Sequence, residues 1–371
     1  MTDIKRYYAF DSLRAAMMFL GVIIHCAMSY SNSNDMSWPL RAKDTSTVFF
    51  ILVEFIHTFR MPVFFLIAGF FGALLFFNKS PEMMIKNRFK RIFMPFLVFL
   101  FVLYPIMSYS FKYCKATFNG EIPMTLNEFS SSLWSYIPFN LFHLWFLYYL
   151  FIISFLVYLF SKLTKRISLL PIENMFELTF KKPLYRTLVL SSFSFVILFL
   201  FGTKSFETSI SWIPNLGILL YYFTFYITGW LLYRNKELVN TLKSFDITIT
   251  IIGVITFCLK TYFDSQMNLI SLQIANSIIT CSLSIGIIGL FLRFADIPNN
   301  YITQLVNSAY WVYLIHFFIT MLLPTFLNDM LISVYFKFLI VLFVTITICL
   351  ISYHLFVRKT FIGAFLSGKK T

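Results

Sequence analysis

Ten long stretches of apolar residues, separated by short polar segments, run through the chain. Most are about as long as the roughly 20 residues that an α-helix needs to cross the hydrocarbon core of a bilayer. The pattern predicts an all-α fold, a polytopic transmembrane helix bundle of about ten spans that forms one domain over residues 1–371. The predicted spans fall near 8–30, 47–77, 92–111, 140–160, 187–202, 212–233, 246–263, 269–292, 302–324 and 333–357.

The composition agrees with a membrane location. Hydrophobic residues make up 59% of the 371 positions, charged residues make up 12%, and phenylalanine alone contributes 49 residues. A water-soluble domain could not solvate such a surface. The amino-terminal segment lacks the small-residue cleavage site of a signal peptide, so we expect the first stretch to be retained as a span.

Positive charge is distributed unevenly between alternate loops, which hold 21 lysines and arginines in one set and 6 in the other. The richer set consists of the amino terminus with Lys5 and Arg6, the segments 78–91, 161–186, 234–244 and 293–301, and the carboxyl-terminal tail. Positively charged loops remain in the cytoplasm, so both termini are predicted to be cytoplasmic. The same bias, with attraction to anionic lipids, explains the net charge of +14 without a nucleic-acid partner.

The cysteines are scattered along the chain without any CxxC spacing. They are predicted to be free thiols, with no disulfide framework and no metal site. They are Cys26, Cys114, Cys258, Cys281 and Cys349.

Two ionisable residues, Arg14 and His25, interrupt the first apolar stretch. At 3.6 residues per turn, their separation in sequence comes to about 20° around a helix and about 16 Å along its axis. Both side chains therefore share one helix face. Because ionisable groups are costly in hydrocarbon, the two residues are functional candidates.

Three further histidines fall in the same half of the predicted bundle as His25. His57, His143 and His316 lie toward the outer boundary of their spans, whereas His354 lies near the inner boundary as an expected interfacial anchor. This layering predicts one polar cavity. For His57 or His143 alone, a hydrogen bond between helices is the alternative interpretation.

The second span carries Glu54, His57 and Arg60 at intervals of three residues, so the three side chains lie within reach of one another. A carboxylate beside a histidine can fix its tautomer and raise its basicity. Glu54 is a candidate for this role toward His57. The alternative is that Glu54 only neutralises Arg60.

Five motifs occur in order along the chain: FDSLRA followed by His25, FRMPVFFLIAGFF, RFKRIFMPF, FHLWFLYYL and SAYWVYLIHFF. Together they resemble the acyltransferase type 3 family of transmembrane acyltransferases. The resemblance implies transfer of an acetyl or succinyl group from cytoplasmic acyl-CoA to a hydroxyl of a periplasmic or cell-surface glycan. It also implies a multi-pass enzyme of the bacterial cytoplasmic (inner) membrane, and it leaves open whether the protein forms a homo-oligomer.

The family's arginine and histidine of the first span correspond to Arg14 and His25, and its basic pair before the third span corresponds to Arg88 and Arg91. Transfer to a hydroxyl needs a base, so His25 is predicted to be that base or a carrier of the acyl group. Lys86, Arg88 and Arg91 are predicted to bind the donor phosphates, and Arg14 is predicted to meet the donor from within the bundle. The alternative is that the basic run only sets topology.

Glu54, His57, Arg60 and His316 complete the predicted catalytic residues. Among them, Arg60 is available to pair with the free carboxylate of a succinyl group.

His143 and Trp145 are predicted to bind the acceptor, because sugar rings pack on aromatic side chains; an interfacial aromatic belt is the alternative. The alternative function is a secondary transporter or flippase for a sugar or organic anion. Such proteins usually carry acidic relays or inverted repeats, whereas Glu54 is the one carboxylate clearly inside a predicted span.

Overall fold

The computed structural model describes residues 7–32, 38, 40–163, 170–206 and 208–368. Within these residues, ten helices are long and apolar enough to cross a membrane, so the predicted all-α bundle of ten spans is confirmed. They are α1 Tyr8–Met28, α2 Thr47–Asn78, α3 Pro81–Asn119, α4 Phe142–Leu163, α5 Pro183–Leu200, α6 Leu216–Arg234, α7 Asp246–Gln266, α8 Leu269–Phe294, α9 Asn300–Leu327 and α10 Val334–Val357.

Helix α3 begins earlier than the sequence predicts. The hydropathy pattern predicts a loop over 78–91, but the helix starts at Pro81, because the Ser80 side chain accepts a hydrogen bond from the Met83 amide (3.1 Å). A π-helical turn, Phe89–Phe93, lies within the helix. The basic run is therefore held on a helix, which fixes the direction of its side chains.

Because the chain crosses the bundle an even number of times, its two described ends lie on the same side of the bundle. We call this side the terminal face and the opposite side the distal face. At the terminal face, the Ala9 amide donates to the Asp296 carboxylate (3.2 Å), and a short helix, Phe361–Ser367, follows α10. The cytoplasmic location of this face stays a prediction. Lys5 and Arg6, which contribute to that prediction, lie outside the described residues.

Helix α2 lies at the centre of the bundle, where it packs closely on α6. A Cβ atom at Gly69 would lie 1.9 Å from the Tyr226 carbonyl oxygen, and one at Gly229 would lie 1.8 Å from the Leu66 carbonyl oxygen. Small residues permit such close approach between membrane helices. By contrast, only 22% of the most apolar windows of α7 and α10 is buried, so these helices face the lipid.

Ion pairs hold helix ends together at both faces. At the terminal face, Arg293 at the end of α8 donates to both carboxylate oxygens of Asp246 at the start of α7 (2.7 and 2.8 Å). At the distal face, Lys337 of α10, whose side chain is 1% exposed, donates to Asp44 in the segment before α2 (2.5 Å). Because an unpaired buried charge is strongly destabilising, these pairs fix the helix ends around the interior site.

Candidate active site between two cavities

Three histidines from three helices lie together inside the bundle. The ring centroids of His25 on α1 and His316 on α9 are 5.3 Å apart, and His143 at the start of α4 lies 5.3 Å from His316. His143 and His316 are buried, whereas His25 is partly exposed. We call these three residues the histidine cluster.

Backbone carbonyls fix the tautomers of two of these rings. His316 Nδ1 lies 2.9 Å and 2.8 Å from the carbonyl oxygens of Val312 and Tyr313, which can only accept, so Nδ1 carries the proton. His143 Nε2 likewise donates to the Leu314 carbonyl (3.2 Å). The other nitrogens, His316 Nε2 and His143 Nδ1, have no hydrogen-bond partner among the described residues. Both rings therefore present a basic lone pair inside the bundle.

Phe317, the residue after His316, packs against the other two imidazoles. Its ring centroid lies 4.9 Å from that of His25 in an edge-to-face arrangement and 4.8 Å from that of His143 in a stacked one. Trp38 in turn lies edge-on to Phe317 at 5.9 Å. These aromatic contacts restrict the imidazole orientations.

Arg60 places a buried guanidinium beside the histidine cluster. Its Nε donates to the Met17 carbonyl (3.0 Å), and its side chain is packed against the backbone of Gly21, where a Cβ atom would lie 2.2 Å from Arg60 Nη2. Gly21 lies one helical turn before His25. The guanidinium therefore lies within electrostatic range of His25 and His316. A cation at this position can stabilise negative charge that develops near the imidazoles.

A large cavity at the terminal face is lined by positively charged side chains. It has a volume of about 1040 Å³ and reaches from α1, α2 and α3 to the segment after α10. No carboxylate lies among its described lining residues. We call it the basic cavity; its cations are Arg14, Arg88, Arg91, Arg358 and Lys359.

A second cavity, of about 750 Å³, lies at the distal face and carries charges of both signs. We call it the distal cavity. Aromatic side chains, including Trp38 and Tyr222, line it together with hydroxyl and amide groups. Its lining residues with charged or imidazole side chains are Arg41, Glu54, His57, Lys204, Lys260 and Asp264.

The histidine cluster lies between the two cavities, and none of its three residues is among the described lining residues of either cavity. Along α1, Met18 lines the basic cavity and Met28 lines the distal cavity, with His25 between them. Along α2, Pro62 lines the distal cavity and Phe64, two residues later, lines the basic cavity. The level of His25 on α1 is therefore where the lining of the helix changes from one cavity to the other.

The structure separates Arg14 from His25, although they share a helix face as predicted. Arg14 lines the basic cavity together with Arg88 and Arg91, and their binding of a donor stays a prediction. Lys86, predicted to act with them, is exposed and is not among the residues that line this cavity. The first span thus contributes one residue to the basic cavity and another to the histidine cluster.

The Glu54, His57 and Arg60 set is divided between the distal cavity and the interior. Glu54 and His57 line the distal cavity, and Glu54 forms an ion pair with Lys260 of α7 (3.5 Å). Arg60 faces α1. The sequence did not indicate the partner from α7, because residues far apart in the chain meet only through helix packing.

Trp145 lies apart from both cavities. It is 4% exposed and packs on Tyr149 and Tyr222, with ring centroids 5.7 and 5.8 Å away. It is thus placed as a support behind Tyr222, which lines the distal cavity. His143, predicted with Trp145 to bind the acceptor, is a member of the histidine cluster, and its acceptor role stays a prediction.

Comparison with known proteins extends these observations to nearly the whole chain. A family model described as an acyltransferase domain, of acyltransferase type 3, matches residues 7–354. Proteins named glucans biosynthesis protein C are similar to this chain: those of Escherichia coli strains K12 and SMS-3-5 are 24% and 25% identical to it, and each alignment covers 98% of this chain and 95% of the relative. No solved structure matches.

Proposed function

Because this chain belongs to the acyltransferase type 3 family of membrane acyltransferases, we propose that it transfers an acyl group from acyl-CoA in the basic cavity to a hydroxyl of a glycan in the distal cavity. The observation that carries the proposal is the position of the histidine cluster between these two cavities. The names of the relatives support a glucan as the acceptor.

The donor side is argued from charge. Coenzyme A carries a pyrophosphate and a separate 3′-phosphate, and arginine side chains bind phosphate through charge-assisted hydrogen bonds. The basic cavity offers several cations and, among its described lining residues, no carboxylate that would repel the ligand. Phosphates held at the terminal face would leave the pantetheine arm directed toward the histidine cluster.

The acceptor side is argued from polarity. A neutral sugar presents hydroxyl groups that both donate and accept, together with apolar ring faces. The ion-paired Glu54 and Lys260, with Trp38 and Tyr222, supply both kinds of contact in the distal cavity. A sugar hydroxyl that reaches the cavity boundary would meet the basic nitrogens of the histidine cluster.

In the proposed reaction, the acceptor oxygen attacks the thioester carbonyl carbon while an imidazole of the cluster accepts the hydroxyl proton. His25 is the base in this proposal, because it is the partly exposed member of the cluster. Arg60 stabilises the oxyanion of the tetrahedral intermediate. The carbon–sulfur bond then breaks, and the imidazolium returns its proton to the departing thiolate of coenzyme A.

The acyl group is acetyl or succinyl in this proposal. A succinyl group brings a carboxylate into the boundary region, where Arg60 would pair with it; an acetyl group would leave Arg60 to act on the oxyanion alone. Turnover with acetyl-CoA and with succinyl-CoA, measured for the wild type and for Arg60→Gln, separates the two roles. A loss confined to succinyl-CoA identifies a carboxylate partner.

The proposed location is the bacterial cytoplasmic (inner) membrane, with the terminal face in the cytoplasm, where acyl-CoA is made. A reporter fused after Thr371 should then be cytoplasmic, and one inserted within 112–135 should lie outside. The opposite result would place the basic cavity on the wrong side of the membrane for its donor.

The test of the proposed function is an assay with the purified full-length protein, acetyl-CoA or succinyl-CoA, and a glucan oligosaccharide. Because Cys258 is exposed, thiol reagents would also react with the protein, so released coenzyme A should be measured by chromatography. Mass spectrometry of the oligosaccharide should show one added acyl group. Uptake of sugar into proteoliposomes without thioester consumption would instead establish the transporter.

A further inference from the structure

The chain does not end at α10 but folds back against the basic cavity. After Val357 it turns and forms the short helix Phe361–Ser367, and we call residues 358–368 the C-terminal arm. The cavity lining includes Arg358 and Lys359 from its first turn and Ser367 from its last. The family match ends at residue 354, so the arm lies beyond the part of the chain that the family model matches.

The first turn of the arm is held by backbone contacts. The Arg358 amide donates to the Tyr353 carbonyl (2.8 Å), and the Thr360 amide donates to the Val357 carbonyl (3.2 Å). Between them, Lys359 has a left-handed backbone conformation, with φ of +63°. This conformation is unfavourable for a residue with a Cβ atom and persists only where surrounding contacts impose it. The turn therefore presents two adjacent cations in a fixed arrangement.

The short helix of the arm is packed against the rest of the terminal face. A Cβ atom at Gly363 would lie 2.2 Å from the Val357 carbonyl oxygen, so the helix rests directly on the end of α10. At the other end of the arm, a Cβ atom at Gly368 would lie 2.8 Å from Arg91 Nε. The arm thus spans the cavity from the end of α10 to the basic residues of α3.

The arm adds two cations to a cavity that already holds three. Arg14 is paired with the Asp11 carboxylate (3.4 Å). The repulsion between Arg88 and Arg91 would increase with the two cations of the arm, because no carboxylate lies among the described lining residues. A single phosphate group would not balance this charge. A ligand with phosphate groups at two separate positions would balance it, and an acyl-CoA donor carries phosphate groups at two separate positions.

Arg88 is the deepest of the cations on the arm and α3. It is half-buried and donates from Nη2 to the Ala68 carbonyl of α2 (2.9 Å), whereas Arg91, Arg358 and Lys359 are exposed. The thioester must reach the histidine cluster, and the 3′-phosphate lies at the opposite end of the donor. We propose that the C-terminal arm binds the 3′-phosphate through Arg358 and Lys359, while the α3 arginines bind the pyrophosphate. This inference rests on the proposed acyl-CoA donor.

The experiment compares binding of coenzyme A and of 3′-dephospho-coenzyme A to the full-length protein in nanodiscs of zwitterionic phosphatidylcholine. The wild type should bind coenzyme A more tightly. The double variant Arg358→Gln/Lys359→Gln should raise the dissociation constant of coenzyme A about tenfold or more and should remove the preference for the 3′-phosphate. The matched control is Lys79→Gln/Lys182→Gln, which removes two exposed lysines that do not line the cavity.

A second variant guards against a folding defect. Lys359→Gly removes the charge and also suits the left-handed backbone conformation, so its unfolding temperature should not fall. It should nevertheless weaken binding of coenzyme A several-fold and leave binding of the dephospho form unchanged. A weakening that is equal for both ligands would overturn the proposal, because it would reflect a general change in the cavity.

The remaining outcomes separate the sources of phosphate. If the wild type binds coenzyme A and the arm variants bind it equally well, the arm proposal fails and the proposed donor stands. If those variants lose only retention of phosphatidylglycerol, measured by native mass spectrometry, the arm binds a lipid headgroup and the proposal again fails. If the wild type binds no coenzyme A, the proposed function itself fails.

Discussion

The two cavities of this protein share the lining helices α1 and α2 but differ in charge. The basic cavity carries five cations and no described acidic lining residue, whereas the distal cavity carries cations together with Glu54 and Asp264. A surface of one sign binds a polyanion by long-range attraction, and a surface of both signs binds neutral polar groups through individual hydrogen bonds. The difference is what the proposed function requires, in which a polyanionic donor and a neutral acceptor bind at opposite faces.

The largest effect is expected from a substitution of His25 in the histidine cluster. His25→Ala should lower turnover by about a hundredfold or more, because it removes the proposed base, and it should leave the dissociation constant of coenzyme A within a few-fold of the wild type. Turnover and calorimetric binding should be measured on the same preparation. Ser12→Ala, which removes a hydroxyl that donates to the Tyr8 carbonyl of the same helix, is the control. Turnover close to that of the wild type would make His25 a packing residue and His316 the next base to test.

The second-largest effect is expected from Gly21, because its substitution would displace the Arg60 guanidinium beside the histidine cluster. Gly21→Ala places a methyl group where Arg60 Nη2 now lies, 2.2 Å from the new Cβ. The end of a flexible side chain can move, so the protein should fold, but the displaced guanidinium should lower turnover about tenfold or more. Arg60→Gln should have a similar effect, and adding Gly21→Ala to it should change little. Additive losses in this double-mutant cycle would show that Gly21 acts independently of Arg60.

A third change should affect the basic cavity alone. Arg88→Gln/Arg91→Gln should raise the dissociation constant of coenzyme A at least about tenfold, since one charge-assisted contact contributes about 1.5–3 kcal/mol. The acceptor KM should remain at the wild-type value. Arg88→Lys keeps the charge and should retain part of the affinity. An unchanged dissociation constant would reduce these residues to topology signals.

The smallest effect is expected in the distal cavity. Glu54→Gln should raise the acceptor KM by about two- to fivefold, because the Glu54 side chain is 44% exposed and exposed ion pairs contribute at most about 1 kcal/mol. Lys260→Gln should act in the same direction, and neither variant should alter the dissociation constant of coenzyme A. A rise in that constant equal to the rise in the acceptor KM would mean that the two cavities do not bind separate ligands.

The sequence predicted the spans well because membrane insertion depends on local hydrophobicity. All ten stretches correspond to helices, and the early start of α3 is the main departure. That early start depends on the helix cap formed by Ser80. It also depends on charged residues that are helical while they face water, and a hydropathy pattern excludes such residues from a predicted span. The sequence therefore identified the basic residues, but it did not predict that they lie on a helix.

For the site, the sequence alone determined the identity of the unusual residues: Arg14 and His25 were marked by the cost of ionisable groups in hydrocarbon. Only the tertiary structure decided which residues meet. The histidine cluster joins α1, α4 and α9, Lys260 reaches Glu54 from α7, and the C-terminal arm returns to the basic cavity. The physical reason is that hydrophobicity acts on each segment separately, whereas these contacts depend on how closely the helices pack, as at Gly69 and Gly229.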